Sequence, residues 1–159
     1  MPILLNRVDE RLIHGQVVIG WGNQLRLDRF IIVDDALAGS DWEMDLYRLG
    51  AGSAEVLFAD VEGARERIGE WRGEPERSIL LTRDIGTMRR LAEGGLLAGE
   101  QVNLGGIHHG PGRRELLTYL HLSEEDRRDL AAIATSGAVV TARDLPDTHR
   151  VTLDSLLKG

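Results

Sequence analysis

Short, continuously apolar runs at regular intervals constrain this chain more than any other feature. Phe30-Ile31-Ile32-Val33 and Ile79-Leu80-Leu81 do not alternate apolar with polar residues. Runs of that kind are strands buried on both faces. Longer amphipathic segments separate them. The pattern predicts strands over 2–6, 29–33, 54–59, 78–82, 101–104 and 138–142. Residues 115–120 alternate less cleanly and read as an edge or antiparallel strand. Helices are predicted over 15–25, 41–49, 61–71, 85–93, 123–135 and 151–157. Ser123-Glu124-Glu125-Asp126 supplies an N-cap followed by acids in the first turn, and Gly94-Gly95 stops the fourth helix. Alternation of this strictness implies an α/β fold, an open and mostly parallel sheet with helices on both faces.

The chain has 159 residues, 42% of them apolar, a length and composition suited to one domain with a sizeable core. Residues 1–159 are therefore expected to form a single domain. The formal net charge of −7 argues against general nucleic-acid binding, which needs a basic surface to neutralise phosphates. Arg65, Arg67, Arg72, Arg77, Arg83, Arg89 and Arg90 are interspersed with acids and read as solvated helix faces. With no cysteine, disulfides, thiolate metal sites and a cysteine nucleophile are excluded. The N-terminal apolar run is too short for a signal peptide, and no run approaches the ~20 apolar residues of a membrane helix. The expected location is the cytoplasm.

In an open parallel sheet, ligands bind beyond the carboxyl ends of the strands. The first such segment, Arg7-Val8-Asp9-Glu10-Arg11-Leu12-Ile13-His14-Gly15-Gln16, packs two arginines, two acids and a histidine between a strand and a helix. A histidine at a helix start faces free backbone N–H groups, here those of Gly15, Gln16 and Val17, and the helix dipole favours an anion there. A neutral imidazole is a competent nucleophile. A phosphoryl group added to it would land among those amides, with Arg11 and Arg7 placed for charge-assisted hydrogen bonds. Gly15 would keep a side chain from crowding the phosphate. Read without that chemistry, the same residues form a capping histidine and a surface ion pair.

The run Arg7-Val8-Asp9-Glu10-Arg11-Leu12-Ile13-His14-Gly15-Gln16-Val17, followed by Trp21, resembles the active-site segment of enzyme IIB of the mannose–fructose–sorbose family of the bacterial phosphoenolpyruvate-dependent sugar phosphotransferase system (PTS). That family's pattern is Arg-hydrophobic-Asp-Asp-Arg-Leu-Ile-His-Gly-Gln-Val, so Glu10 stands where it has its second Asp. Val102-Asn103-Leu104-Gly105-Gly106-Ile107 is similar to the family's Val-Asn-Val-Gly-Gly-Met stretch. The resemblance implies a sheet of about seven strands with one antiparallel. It implies a phosphocarrier whose His14 is phosphorylated on Nδ1, with Arg11 stabilising the transferring group and Arg7, Asp9, Gly15 and Gln16 around it. Asp9 would orient Arg11 or bond the loop backbone. The donor would be phospho-enzyme IIA and the acceptor a sugar held by the IIC and IID membrane subunits, with neither metal nor cofactor. A regulatory role, in which His14 phosphorylation signals to a partner without sugar transport, is the alternative. An anion-binding module without covalent chemistry is a third reading.

Other candidates are weaker. His108-His109 follows the fifth strand and departs from the family's usual residues, and adjacent histidines can ligate a metal. Gly105-Gly106 would permit close backbone approach to a phosphoryl group or form a tight turn. Asp34-Asp35 could hold Mg²⁺ as in receiver domains, but the only lysine is Lys158. Asp34 more naturally caps its strand or contacts the loop that carries His14. No Walker loop or dinucleotide fingerprint is present. The leucines of the last helix, Leu153, Leu156 and Leu157, suit either the core or a homodimer surface.

Overall fold

A computed structural model describes residues 2–158, apart from the side chain of Gln16. Seven strands make the main sheet: β1 (Ile3–Val8), β2 (Arg29–Val33), β3 (Glu55–Ala59), β4 (Ser78–Thr82), β5 (Gln101–Leu104), β8 (Val139–Ala142) and β9 (Val151–Thr152), in the order β3-β2-β4-β1-β5-β8-β9. Every pairing is parallel except that of β8 with β9. A hairpin of β6 (Arg114–Leu117) and β7 (Leu120–Leu122) forms a separate two-stranded sheet. The helices are α1 (Gly22–Leu25), α2 (Asp41–Gly50), α3 (Val61–Gly73), α4 (Ile85–Ala92), α5 (Glu124–Thr135) and α6 (Leu153–Lys158).

The central strands are buried on both faces, as their composition requires. Ile31, Val33 and Leu80 join a cluster with Trp71, Met88, Leu91, Leu130, Ile133 and Leu156, beneath α3–α6. Their strand neighbours Phe30, Ile32, Ile79 and Leu81 join a second cluster with Leu12, Val17, Trp21 and Leu37 on the opposite face. Strand alternation with apolar residues at every position thus feeds two cores from one sheet.

Three expectations are corrected. The segment 115–120 is no edge strand of the main sheet. It divides into β6 and β7, because Leu120 and Leu122 turn into the larger core and draw the second half of the segment back along the first. The antiparallel strand instead comes from the predicted last helix, whose β-branched Val151-Thr152 pair with Ala142 and Thr141 before α6 begins. In α6, Leu156 is buried and Leu153 packs on the core, so neither is left for a dimer surface. Third, 15–25 is not one regular α-helix. It is a π-helical turn, Gln16–Trp21, followed by α1, and it ends at Arg26 in the left-handed conformation (φ 54°).

The topology fixes where a ligand can bind. The connection leaving β1 runs to β2 on one side, and that leaving β5 runs toward β8 on the other. β1 and β5 are neighbours, so their carboxyl ends flank a point where the strand order reverses, and a crevice opens there.

Candidate active site

Two loops meet at that crevice: residues 9–15 after β1, and residues 105–113 after β5. The Glu10 N–H donates to the Gly106 carbonyl (2.9 Å) and the Gly105 N–H to the Val8 carbonyl (2.8 Å), zipping them together. Leu12 takes the left-handed conformation (φ 56°), rare and strained for a leucine, and is held there by complete burial. This reversal, closed by the Leu12 N–H to the Asp9 carbonyl (3.0 Å), returns the chain so that His14 faces Asp9.

Asp9 organises the site. It is fully buried; its Oδ2 lies 3.2 Å from His14 Nε2 and accepts from Arg7 Nη2 (3.1 Å), and its Oδ1 accepts the Arg11 backbone N–H (3.1 Å). The Gly106 N–H approaches Oδ2 at 3.4 Å. Burial pushes the Asp9 carboxyl up, but the hydrogen bond to His14, the Arg7 charge and the Arg11 amide outweigh it and hold Asp9 below its ordinary value. The carboxylate is therefore ionised and placed to accept from Nε2; in the tautomer with its proton on Nε2, the lone pair is on Nδ1. Only 14% of the His14 side chain is exposed.

Arg7 differs from the expectation of a direct phosphoryl contact. Its side chain is fully buried, and its two terminal nitrogens are engaged by Asn103 Oδ1, the Arg143 carbonyl (2.8 Å), Asp9, and the Asp144 carbonyl (3.0 Å). Its guanidinium also lies 5.2 Å from the Trp21 ring centroid. Burial lowers Arg7 from its ordinary range and the Asp9 charge counters it. Arg7 thus sits beneath the site, tying β1 to the ends of β5 and β8. Gly105 is what makes room, because a Cβ there would overlap the Arg7 guanidinium. The pattern alone suggests that this glycine approaches a phosphate or makes a turn. The space it leaves is instead filled by Arg7.

Arg11 is exposed. A Cβ built on Gly106 would lie 3.7 Å from Arg11 Nη2 and 3.6 Å from Asp9 Oδ1, so the open side of Gly106 faces both Arg11 and Asp9. Gly15 is exposed, with nothing within 4 Å of the place a Cβ would occupy, so nothing in the protein itself demands glycine there. The side chain of Gln16 lies outside the described residues. The π-helical turn opens with the Val18 N–H bonded to the His14 carbonyl (2.9 Å). Trp21, at its end, donates its indole N–H to the Asp144 carbonyl (3.0 Å). A groove of about 600 Å³ lined by Gly15, Ile19, Gly20, Gln24, Leu145 and Pro146 runs beside His14.

The remaining candidates are accounted for by the fold. Asp34 accepts the Ala36 and Leu37 amides and caps the turn after β2. Asp84, at the carboxyl end of β4, likewise caps α4 through the Thr87 amide and is no site residue in its own right. His108 and His109 diverge: His108 Nδ1 lies 3.1 Å from Glu10 Oε2, whereas His109 meets the His121 ring edge-on at 5.8 Å. Among the described residues, no group of three or more His, Asp or Glu side chains converges to hold a metal. Sequence reasoning missed the Asp9–His14 pair, Asn103 and the role of Gly105. The available signal was a polar residue at matching positions of two adjacent buried strands, Arg7 opposite Asn103 in the β1–β5 register.

A fully buried carboxylate paired with a histidine at the reversal point of a doubly wound sheet defines the class: a doubly wound α/β protein with a carboxylate–histidine pair at the carboxyl ends of its strands. Residues 3–159 match the family described as "PTS system sorbose subfamily IIB component", and the chain belongs to that family of sugar phosphotransferase components. It is 31% identical over 151 residues to the N-acetylgalactosamine-specific phosphotransferase enzyme IIB component 1 of Escherichia coli, covering 93% of this chain and 94% of that protein. It is 25% identical over 158 residues to the E. coli mannose-specific EIIAB component, covering 99% of this chain and 49% of that protein. The crystal structure of manxB from Thermoanaerobacter tengcongensis superimposes with a TM-score of 0.85 at 28% identity, covering 98% of this chain and 95% of that one. No helix among the described residues is long and apolar enough to cross a membrane.

Proposed function

We propose that this chain is the phosphocarrier of a sugar phosphotransferase system. His14 takes a phosphoryl group on Nδ1 from a phosphohistidine of enzyme IIA and delivers it to a hydroxyl of a sugar held by the IIC and IID membrane subunits. The observation that carries the reading is the 3.2 Å contact of Asp9 with His14 Nε2. It leaves Nδ1 as the nucleophile on a histidine whose ring is held in place by a buried anion.

In the first step the Nδ1 lone pair forms a bond to phosphorus as the donor's N–P bond breaks. Phosphorylated imidazole retains its Nε2 proton and gains cationic character, which the Asp9 carboxylate offsets. In the second step a sugar hydroxyl attacks phosphorus, the P–Nδ1 bond breaks to return the neutral Nε2–H imidazole, and the hydroxyl proton passes to solvent. The transition state is loose and spreads charge over three equatorial oxygens, so catalysis is positioning plus electrostatics. Arg11, whose Nη2 lies toward Gly106 and Asp9, supplies the cation. The amides of Gly15, Gln16 and Val17, which open a helical turn and lack helical acceptors, supply donors. Gly15 leaves the approach to them open. Arg7 serves indirectly by fixing Asp9.

Both partners must reach the same nitrogen, so the groove of Gly15, Ile19 and Pro146 lies where a docking surface has to fall. The pairing of IIA with IIB in the name of the mannose-specific relative supports IIA as the donor. Such a carrier works in the cytoplasm, at the membrane face of its permease.

The test is the intact mass of the protein after incubation with phosphoenolpyruvate, enzyme I, HPr and a cognate enzyme IIA. One acid-labile phosphoryl group, absent from a folded His14→Ala variant, is the expected result. No gain with partners active on a control, or label retained in His14→Ala, overturns it.

A further inference from the structure

Glu10 lies between His14's loop and the loop that follows β5, and its carboxylate is divided between two partners on the latter. Oε1 accepts from Arg113 Nη1 at 2.6 Å and Oε2 lies 3.1 Å from His108 Nδ1. The same Arg113 nitrogen donates to the His108 carbonyl (2.8 Å), and the Arg113 backbone N–H closes a turn onto the Gly110 carbonyl (3.1 Å). With the Glu10 N–H on the Gly106 carbonyl, the loop is bound to Glu10 at both ends. The first of those attachments is at Gly106, the residue that Arg11 Nη2 approaches. Glu10 and Arg113 are about a quarter exposed, so their pairing is partly shielded, and three charged or ionisable groups form one network rather than an isolated surface pair.

We propose that Glu10, His108 and Arg113 form a clasp that positions the Arg11 guanidinium near Gly106 and Asp9, making Glu10 and Arg113 positioning residues for phosphoryl transfer. Neither touches the reacting nitrogen; both act by holding the 105–113 loop, and hence Gly106, against the loop that carries Arg11. The division of one carboxylate between two partners also explains why the longer glutamate serves at this position. An aspartate, one methylene shorter, would draw the carboxylate back from both Arg113 and His108.

The inference rests on the carrier reading for its kinetic test but not for its structural one. Arg113→Ala, Glu10→Gln and the double variant are compared with wild type in two measurements. The first is the Nε–Hε resonance of the Arg11 side chain by NMR, in the unphosphorylated protein. The second is the rate at which phosphoramidate, a donor too small to need a docking surface, phosphorylates His14. Each single variant is expected to move the Arg11 resonance toward the averaged position of a free side chain and to slow labelling about three- to tenfold, as small misplacements of a charge-stabilising group do. The double variant is expected to be no slower than the slower single, because both remove the same clasp. Wild-type labelling rates in both singles, an unmoved Arg11 resonance, or losses that multiply in the double variant each overturn the clasp. A wild-type protein that takes no label while the Arg11 resonance responds to Arg113→Ala removes the carrier reading and leaves the clasp standing.

Discussion

At the scale of single residues, two adjacent glycines carry opposite tolerances. A Cβ on Gly105 would overlap a buried guanidinium that is anchored by Asp9, Asn103 and two carbonyls, and so cannot swing away. A Cβ on Gly106 would make ordinary contacts at 3.6–3.7 Å. Gly105→Ala should destabilise the fold by about 1–3 kcal/mol through overpacking, whereas Gly106→Ala should stay within about 0.5 kcal/mol. Urea denaturation midpoints check both, and equal effects would mean Arg7 is not held as described. Much of this is legible in the sequence: His14, Arg11 and Asp9 stand out in one loop, and the loop lies where a parallel sheet binds ligands. Arg7 misleads because its charge suggests a ligand contact. Nothing in a one-dimensional pattern shows that Asn103 and the carbonyls of Arg143 and Asp144 converge on it.

At the scale of elements, the first helix departs from its pattern because neighbouring loops compete for its residues. Gly20 lets Leu145 approach, with Leu145 Cδ2 3.1 Å from where a Cβ would lie, and Trp21 is drawn to the Asp144 carbonyl and the Arg7 guanidinium. A π-helical turn, wider than an α-turn, brings these groups to the same side, as such turns often do at functional sites. α5 shows the reverse, a boundary written locally. Ser123 accepts the Asp126 amide, and the Asp126 carboxylate accepts the Ser123 amide in return, a reciprocal capping box. Ser123→Ala should cost about 1 kcal/mol in urea denaturation. No change in midpoint would show that packing of Leu130 and Ile133 alone sets this helix end.

At the scale of the whole molecule, charge distribution sets the pH response. The arginines of the 65–90 stretch, read as solvated, are in part ties between elements: Arg65 caps the carbonyls of Arg90, Leu91 and Glu93, Arg72 pairs with Glu100, and Arg90 with Asp35. The Val61 amide, followed by Arg90, holds Asp35 below its ordinary value, and Asp9 is held below its own. A carboxyl depressed in the folded state stabilises fully above the unfolded carboxyl value of about 4, and that contribution is lost as pH falls through the folded value. Asp129 acts in the opposite sense, since burial raises it despite Arg89. Wild-type stability should therefore fall below about pH 4. Asp9→Asn should cost about 3–5 kcal/mol at pH 7, because it leaves Arg7 as a buried charge without its counter-ion, and should flatten the acid limb. Denaturation midpoints from pH 3 to pH 7 test this, and an unaltered acid limb in Asp9→Asn would assign the acid sensitivity elsewhere.

The sequence by itself determined the fold class, the strands β2, β4 and β5 to the residue, and the loop that carries Asp9 and His14. Those follow from local properties: continuous apolar runs must be buried on both faces, and a parallel sheet places its ligands beyond the carboxyl ends of its strands. Tertiary structure alone decided that Arg7 lies beneath the site instead of in it, that Asp9 holds His14 by Nε2, and that Val151-Thr152 supplies the antiparallel strand. It also decided that Glu10 meets residues about a hundred positions away, His108 and Arg113. Each of these depends on which side chains two adjacent strands bring to the same point in space, and that is set by the order of strands in the sheet, which no local pattern in the chain records.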